Sequence, residues 1–150
     1  MRVYLVLLDE TEEAHTALRF ASRRAAKTGG AVHILSLIPK QDFVAFGGVQ
    51  ATIEEEARDR AEALAASAAS ELQSEGGAKP VVAVRQGDGQ AVIREYLGEH
   101  PEVAALVLAA AHEGDPGPLV THFSRISGTL PCPLFVVPGG LLDSEIDRLS

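Results

Sequence analysis

Five runs of apolar residues recur along the chain, and each is bounded by glycine, proline or polar residues. The first run, residues 3–8, is apolar at nearly every position and ends at Asp9. Continuous runs of this kind are typical of parallel β-strands that are covered on both faces. The predicted strands are residues 3–8, 31–38, 80–85, 103–110 and 133–137.

The segments between these runs carry apolar residues at helical spacing. In the first segment Ala14, Ala17 and Leu18 fall on one stripe, Thr11 is the predicted N-cap, and Gly29 follows the end of the helix. Further helices are predicted at about residues 51–73, 90–99 and 119–127, whereas residues 40–50 are predicted to be irregular.

Strict alternation of strands and helices predicts an α/β fold, a three-layer sandwich with right-handed crossovers. We expect a Rossmann-like five-stranded parallel sheet of order 3-2-1-4-5, with helices on both faces. The predicted domain spans residues 1–140, and residues 141–150 are predicted to be a polar C-terminal tail. A length of 150 residues suits one domain.

The amino-acid composition limits which binding partners and which cellular compartment we expect for the protein. A net charge of −8 without a Lys/Arg stripe disfavours nucleic acids and anionic membrane surfaces. The single cysteine, Cys132, allows no internal disulfide, which fits a reducing compartment. The N-terminal apolar run is too short for a signal peptide or a membrane span. We therefore expect a cytoplasmic protein.

A ligand of such a sheet binds beyond the carboxyl ends of the strands, where the strand order reverses. With the order 3-2-1-4-5 this position lies between strands 1 and 4. The loop that begins at Asp9 and the segment from Ala109 to Thr121 would meet there. Neither loop contains a Walker-type phosphate motif, and the chain has no Gly-x-Ser-x-Gly nucleophile motif.

Several segments together resemble the universal stress protein family, over nearly the whole chain. They are the opening strand with Asp9 and Thr11, residues 32–38, the Gly87-Asp88-Gly89 turn, and residues 130–137, which are the most specific. The resemblance implies the fold above. It also implies that Asp9 contacts an adenine or ribose and that Leu37 lines a base pocket, although helix-start and core positions are the structural alternatives for these two residues.

The family includes members that bind ATP and members that do not, and the binders carry a glycine-rich phosphate segment. In register with that segment, the first two glycines correspond to Ala109 and His112, and the final Gly-Ser pair to Val120 and Thr121. Thr121 keeps a hydroxyl, with an N-cap role as its structural alternative. The other candidate ligand positions are Gly114 and Gly117.

Proline and charge argue against a phosphate cradle in this segment. Pro116 and Pro118 flank Gly117 and lack the backbone N–H groups that bind phosphate. Five acidic residues lie in or beside the two loops, and no Lys or Arg occurs between Ala109 and Ser124. The acidic residues are Glu10, Glu12, Glu13, Glu113 and Asp115.

These observations predict a non-enzymatic stress-response module with a degenerate nucleotide site and no required cofactor. The alternative is an adenine-nucleotide binder that uses ATP or AMP with Mg²⁺. We expect a homodimer through the last strand, with Phe135 and Val137 as the contact residues. No catalytic residue is assigned. A phosphorylatable receiver or a flavodoxin is disfavoured because strand 5 lacks a following Lys and the loop after strand 1 is acidic.

Histidines carry no predicted metal site. His112 and His122 match no recognised ligand spacing, so solvated loop positions are expected for them. His33 is predicted to be a hydrogen-bonded structural histidine, and His15 and His100 are expected at the surface.

Overall fold

The computed structural model describes residues 1–39 and 47–150, with backbone only for residues 39 and 47–50. Its five parallel strands have the order β3-β2-β1-β4-β5, which confirms the predicted topology. The strands are β1 (Val3–Leu8), β2 (Ala31–Pro39), β3 (Val81–Gly87), β4 (Val103–Ala110) and β5 (Leu134–Pro138). The helices are α1 (Ala14–Thr28), α2 (Gly47–Ser74), α3 (Gly89–Glu99), α4 (Pro118–Arg125) and α5 (Asp143–Leu149).

Alternation along the strands divides the core between two faces of the sheet. In β1, Tyr4 and Val6 pack with α1 and α2, whereas Leu5 and Leu7 pack with α3 and α4. Both sets are buried, which explains why β1 is apolar throughout. The three layers predicted from the alternation of strands and helices are therefore present.

Polar side chains fix several helix positions. Ser36 is buried, and its hydroxyl donates a hydrogen bond to the carbonyl oxygen of Ala61 in α2 at 2.9 Å. Asp88 is the N-cap of α3, because its carboxylate accepts a hydrogen bond from the Ala91 N–H at 3.2 Å. The turn predicted at Gly87-Asp88-Gly89 is thus the start of a capped helix.

Helix α2 begins earlier than the sequence predicted. Its first turn, from Gly47, lies within the segment that was expected to be irregular, and residues 40–46 of that segment lie outside the described residues. Among the described residues no helix is both long enough and apolar enough to cross a membrane.

The last ten residues differ from the expected polar tail, because they form a docked helix. Ile146 of α5 is 1% exposed. The Asp147 carboxylate accepts hydrogen bonds from Arg19 of α1 at 2.9 Å on each oxygen and from Arg23 at 3.1 Å. The hydrogen bonds from Arg19 hold the pKa of Asp147 below its usual range. Lys27 of α1 also donates hydrogen bonds to the carbonyl oxygens of Asp147 and Ser150, so α5 is held on α1 by apolar burial, ion pairs and hydrogen bonds together.

The edge strand β5 presents a different residue from the two that were predicted as contacts. Phe135 packs its ring edge-on against Phe20 at 5.8 Å, and Val137 is 3% exposed, so both point into the core. The two residues predicted as dimer contacts are thus partly buried, in the case of Phe135, and buried, in the case of Val137. Val136, which lies between them, is 41% exposed.

Candidate functional site

A crevice of about 130 Å³ opens between the carboxyl ends of β1 and β4. The loop after β1 forms one wall, and the segment leading into α4 forms the other, as expected for the topological switch point. Five of the nine residues predicted from the sequence line it: Asp9, Thr11, Ala109, Gly117 and Val120. The other lining residues are Leu7, Glu13, Ala14, Leu108, Pro116, Pro118 and Leu119.

The loop after β1, which forms one wall of the crevice, is stabilised by its own hydrogen bonds. One oxygen of the Asp9 carboxylate accepts hydrogen bonds from both the backbone N–H and the hydroxyl of Thr11. This is an Asx turn, in which a short carboxylate stabilises the backbone two residues on. Thr11 is therefore not the N-cap of α1, which begins at Ala14 after Glu13. The Thr11 hydroxyl is already engaged by Asp9.

The opposite wall is the first turn of α4. Gly117 has φ +111° and precedes Pro118, the first residue of the helix. The N–H of Thr121 donates to the Gly117 carbonyl oxygen at 3.0 Å, so Thr121 lies inside the helix and is not its N-cap. Since Pro118 has no N–H, the residues of α4 itself that offer first-turn donors toward an anion are Leu119 and Val120.

Four predicted residues lie away from the crevice. Gly114, with φ +74°, sits in an exposed turn. The ring of His112 lies against Gly140. Leu37 is packed beside Leu119 in the core on the α3 side of the sheet, as its structural alternative predicted. The fourth, Thr121, lines a neighbouring depression on the other side of Pro118.

The charge of the crevice is negative. Asp9 and Glu13 line it, and none of its lining residues is Lys, Arg or His. The neighbouring Glu10 is paired with Arg60 of α2 through a hydrogen bond from Nε to Oε1 at 2.8 Å. This bond raises the pKa of the Arg60 guanidinium above its ordinary value. Arg60 is thereby paired with Glu10 rather than directed at the crevice.

A second depression, of about 480 Å³, adjoins the crevice and shares Gly117 and Pro118 with it. It supplies a cation that the crevice lacks, Arg125, and the carboxylate of Asp115 also lines it. Nε2 of His122 accepts a 3.4 Å hydrogen bond from Arg94. Arg125 follows directly after the segment in which no Lys or Arg occurs and was not among the residues predicted from the sequence. The signal was the spacing of Thr121 and Arg125, which places both on one face of α4.

The order of the strands, the crossovers and the position of the crevice define a doubly wound α/β protein. The family model described as "Universal stress protein family" matches residues 1–138. The chain therefore belongs to the universal stress protein family. No curated protein matches the chain.

Solved structures agree with this fold. One, a universal stress family protein from Burkholderia pseudomallei, is 16% identical with a TM-score of 0.67, over 91% of this chain and 95% of that chain. A universal stress protein in complex with cAMP is 14% identical with a TM-score of 0.63, over 91% and 96%. A third, from Archaeoglobus fulgidus in complex with dAMP, is 15% identical with a TM-score of 0.54, over 91% and 97%. At these identities the likeness shows the fold alone.

Proposed function

We propose that this protein is a non-enzymatic stress-response module whose switch-point crevice has lost tight binding of ATP. The observation that carries the proposal is that two carboxylates, Asp9 and Glu13, line the crevice while the helix on its opposite wall begins at Pro118, which has no N–H to offer a phosphate. The volume of about 130 Å³ is also below the several hundred Å³ that is usual for small-molecule sites.

The repulsion between phosphate and the crevice carboxylates, weighed against the available backbone donors, explains the loss of tight ATP binding. A phosphate charge about 5 Å from one carboxylate is repelled by about 3 kcal/mol at an effective dielectric constant of roughly 20. A hydrogen bond from a backbone N–H to an anion contributes about 1.5–3 kcal/mol. The two free donors of α4, from Leu119 and Val120, therefore do no more than offset Asp9 and Glu13.

A second candidate is an adenine-nucleotide binder whose ligand carries a single phosphate. The structural neighbours with cAMP and dAMP favour it, and so does the depression that places Arg125 beside Pro118. If the base lay in the crevice and the single phosphate pointed toward Arg125, the phosphate would avoid most of the repulsion from Asp9 and Glu13. A Mg²⁺ ion between Asp9 and the phosphates would be the metal-assisted form of this candidate.

Calorimetric titration with ATP, ATP plus Mg²⁺, AMP and cAMP tests the proposal. We expect a Kd for ATP weaker than about 1 mM, with or without Mg²⁺, and no copurified nucleotide in native mass spectrometry. Glu13→Gln should tighten nucleotide binding by removing repulsion, whereas the control Glu12→Gln, outside the crevice, should not. Micromolar ATP binding by the wild-type chain would contradict the proposal.

The same titration decides the second candidate. Micromolar binding of AMP or cAMP that Arg125→Gln weakens by tenfold or more would support it, since a charge-assisted contact contributes about 1.5–3 kcal/mol. Binding that is absent, or insensitive to Arg125→Gln, would exclude the proposed role of the depression.

We also propose that the module acts as a homodimer through the edge of β5. This strand carries no charged residue and exposes Val136, so its free edge is unprotected. The other edge strand, β3, contains Arg85, which is paired with Glu99 at 3.2 Å. A charged edge resists strand pairing, and therefore β5 is the better contact.

Sedimentation at micromolar concentration tests this dimer. Val136→Glu should weaken self-association by at least about tenfold, because it places a charge in the centre of the contact. The matched control is Val81→Glu on the β3 edge, where the native valine is 49% exposed, and it should leave self-association unchanged. A wild-type chain that is strictly monomeric would refute the dimer.

A further inference from the structure

Two histidines and a glutamate converge at the amino-terminal edge of the sheet, opposite the crevice. His33 lies near the start of β2, and Glu102 directly precedes β4. His33, His100 and Glu102 each offer a ligand atom, a ring nitrogen or a carboxylate oxygen, and these atoms all lie within 4.8 Å of one another. His100 and Glu102 are two residues apart, whereas His33 is distant in sequence, so the fold brings His33 to this pair.

Tyr96 of α3 holds the two imidazoles in place. The Tyr96 hydroxyl is 2.8 Å from Nδ1 of His33, and the Tyr96 ring is stacked on His100 with centroids 4.1 Å apart. Tyr96 itself is fully buried. A hydrogen bond at one ring nitrogen fixes the tautomer and orientation of a histidine, which is the usual outer-shell arrangement of a metal ligand.

The ring nitrogen that faces away from Tyr96 is available in His33. In the tautomer in which Nδ1 of His33 donates to the Tyr96 oxygen, Nε2 carries a lone pair that can bind a metal. A metal ion binds the neutral imidazole, through the ring nitrogen that carries no proton.

His100 and Glu102 form the exposed half of the cluster. Nδ1 of His100 is 2.8 Å from Oε1 of Glu102. Two ligand atoms on a tetrahedral zinc ion lie roughly 3.3 Å apart, given metal–ligand bonds of about 2.0–2.2 Å. Glu102 is exposed and follows Pro101 in a turn, so its side chain can move by the half ångström that an ion would require.

We propose that His33, His100 and Glu102 bind a zinc ion, with water in the fourth position. Two imidazoles and one carboxylate are a ligand set that zinc accepts, whereas magnesium prefers oxygen ligands. Arg85 lies 5.8 Å from the Tyr96 ring centre and is paired with Glu99, which reduces its repulsion of an ion.

A zinc ion here would tie β2 to the connection between α3 and β4. Because the cluster lies at the end of the sheet opposite the crevice, this site is independent of nucleotide binding and goes beyond the proposed function. Occupancy would add a cross-link between these two segments, beside the hydrogen bond between His33 and Tyr96.

The test uses the full chain without a polyhistidine tag, freed of metal with EDTA and titrated with Zn²⁺ against a chromophoric chelator. We expect one Zn²⁺ per chain with a micromolar or tighter Kd, together with a rise in Tm. Co²⁺ should give the visible absorption of a tetrahedral site. His100→Gln and Glu102→Gln should each weaken Zn²⁺ binding by about tenfold or more.

The matched control is His15→Gln, which removes an exposed histidine on α1 and should leave the Kd unchanged. His100→Gln and Glu102→Gln alter only partly exposed side chains, so both should fold, and circular dichroism checks this. Wild-type protein that binds no zinc stoichiometrically would overturn the proposal. So would folded His100→Gln and Glu102→Gln variants that bind zinc as tightly as the wild type.

Discussion

Phe123→Ala is expected to lower the free energy of unfolding by about 3–5 kcal/mol, the usual cost of removing a buried aromatic ring. Phe123 is 0% exposed and is packed in the core between α4 and the sheet. A helix of only eight residues has few other contacts to hold it. The measurement is urea unfolding followed by circular dichroism.

The effect should extend to the candidate site. Helix α4 carries Gly117 and Val120 to the wall of the crevice, so loosening α4 should also abolish any nucleotide binding that the wild type shows. The control is Leu149→Ala, which truncates an exposed leucine on α5 and should change the stability by less than about 0.5 kcal/mol. Equal losses in the two variants would show that α4 is not held by Phe123.

Gly139→Ala is expected to destabilise the protein by about 1–3 kcal/mol, because the added methyl group has no room. It would collide with the carbonyl oxygen of Ala110 and lie 2.8 Å from Cβ of Glu13. The N–H of Gly139 donates to the same Ala110 oxygen at 2.8 Å, so the two backbones cannot separate without losing that bond. Thermal unfolding measures the change.

The neighbouring glycine provides a matched control. In Gly140→Ala the three atoms nearest to the added methyl group all belong to the ring of His112, a side chain that can rotate away. Neither glycine has a positive φ, so conformational preference does not separate the two substitutions. Gly140→Ala should therefore cost less than Gly139→Ala, and the reverse order would contradict the close approach of Gly139 to β4.

The topology was predictable because each strand is a continuous apolar run separated by a helical segment. In a parallel sheet the alternation of strands and helices determines at which end of the sheet the carboxyl ends of the strands lie. The sequence alone therefore predicts that the loops of Asp9 and Gly117 line the same crevice. The prolines around Gly117 were equally visible, since the absence of an N–H follows from the residue type.

Other features depend on contacts between elements of the fold, which the local pattern of apolar and polar residues does not reveal. β5 is too short and too uniformly apolar to show which of Phe135 and Val136 faces the core. Helix α5 has one buried residue, Ile146. Its Asp147 pairs with Arg19 of α1, which lies more than a hundred residues earlier in the chain. His100 was expected at the surface, but its stacking on Tyr96 arises from the turn that joins α3 to β4.

The register of β1 has a consequence for how the chain folds. Val3 pairs with Ala31 on one side but with Val103 on the other, so the central strand gains its second neighbour only after two thirds of the chain has been made. Contacts so distant in sequence slow folding, since the loop between them must close first. During synthesis the newly made β1–β2 pair would expose an apolar edge, and this is the interval in which protection from aggregation matters most.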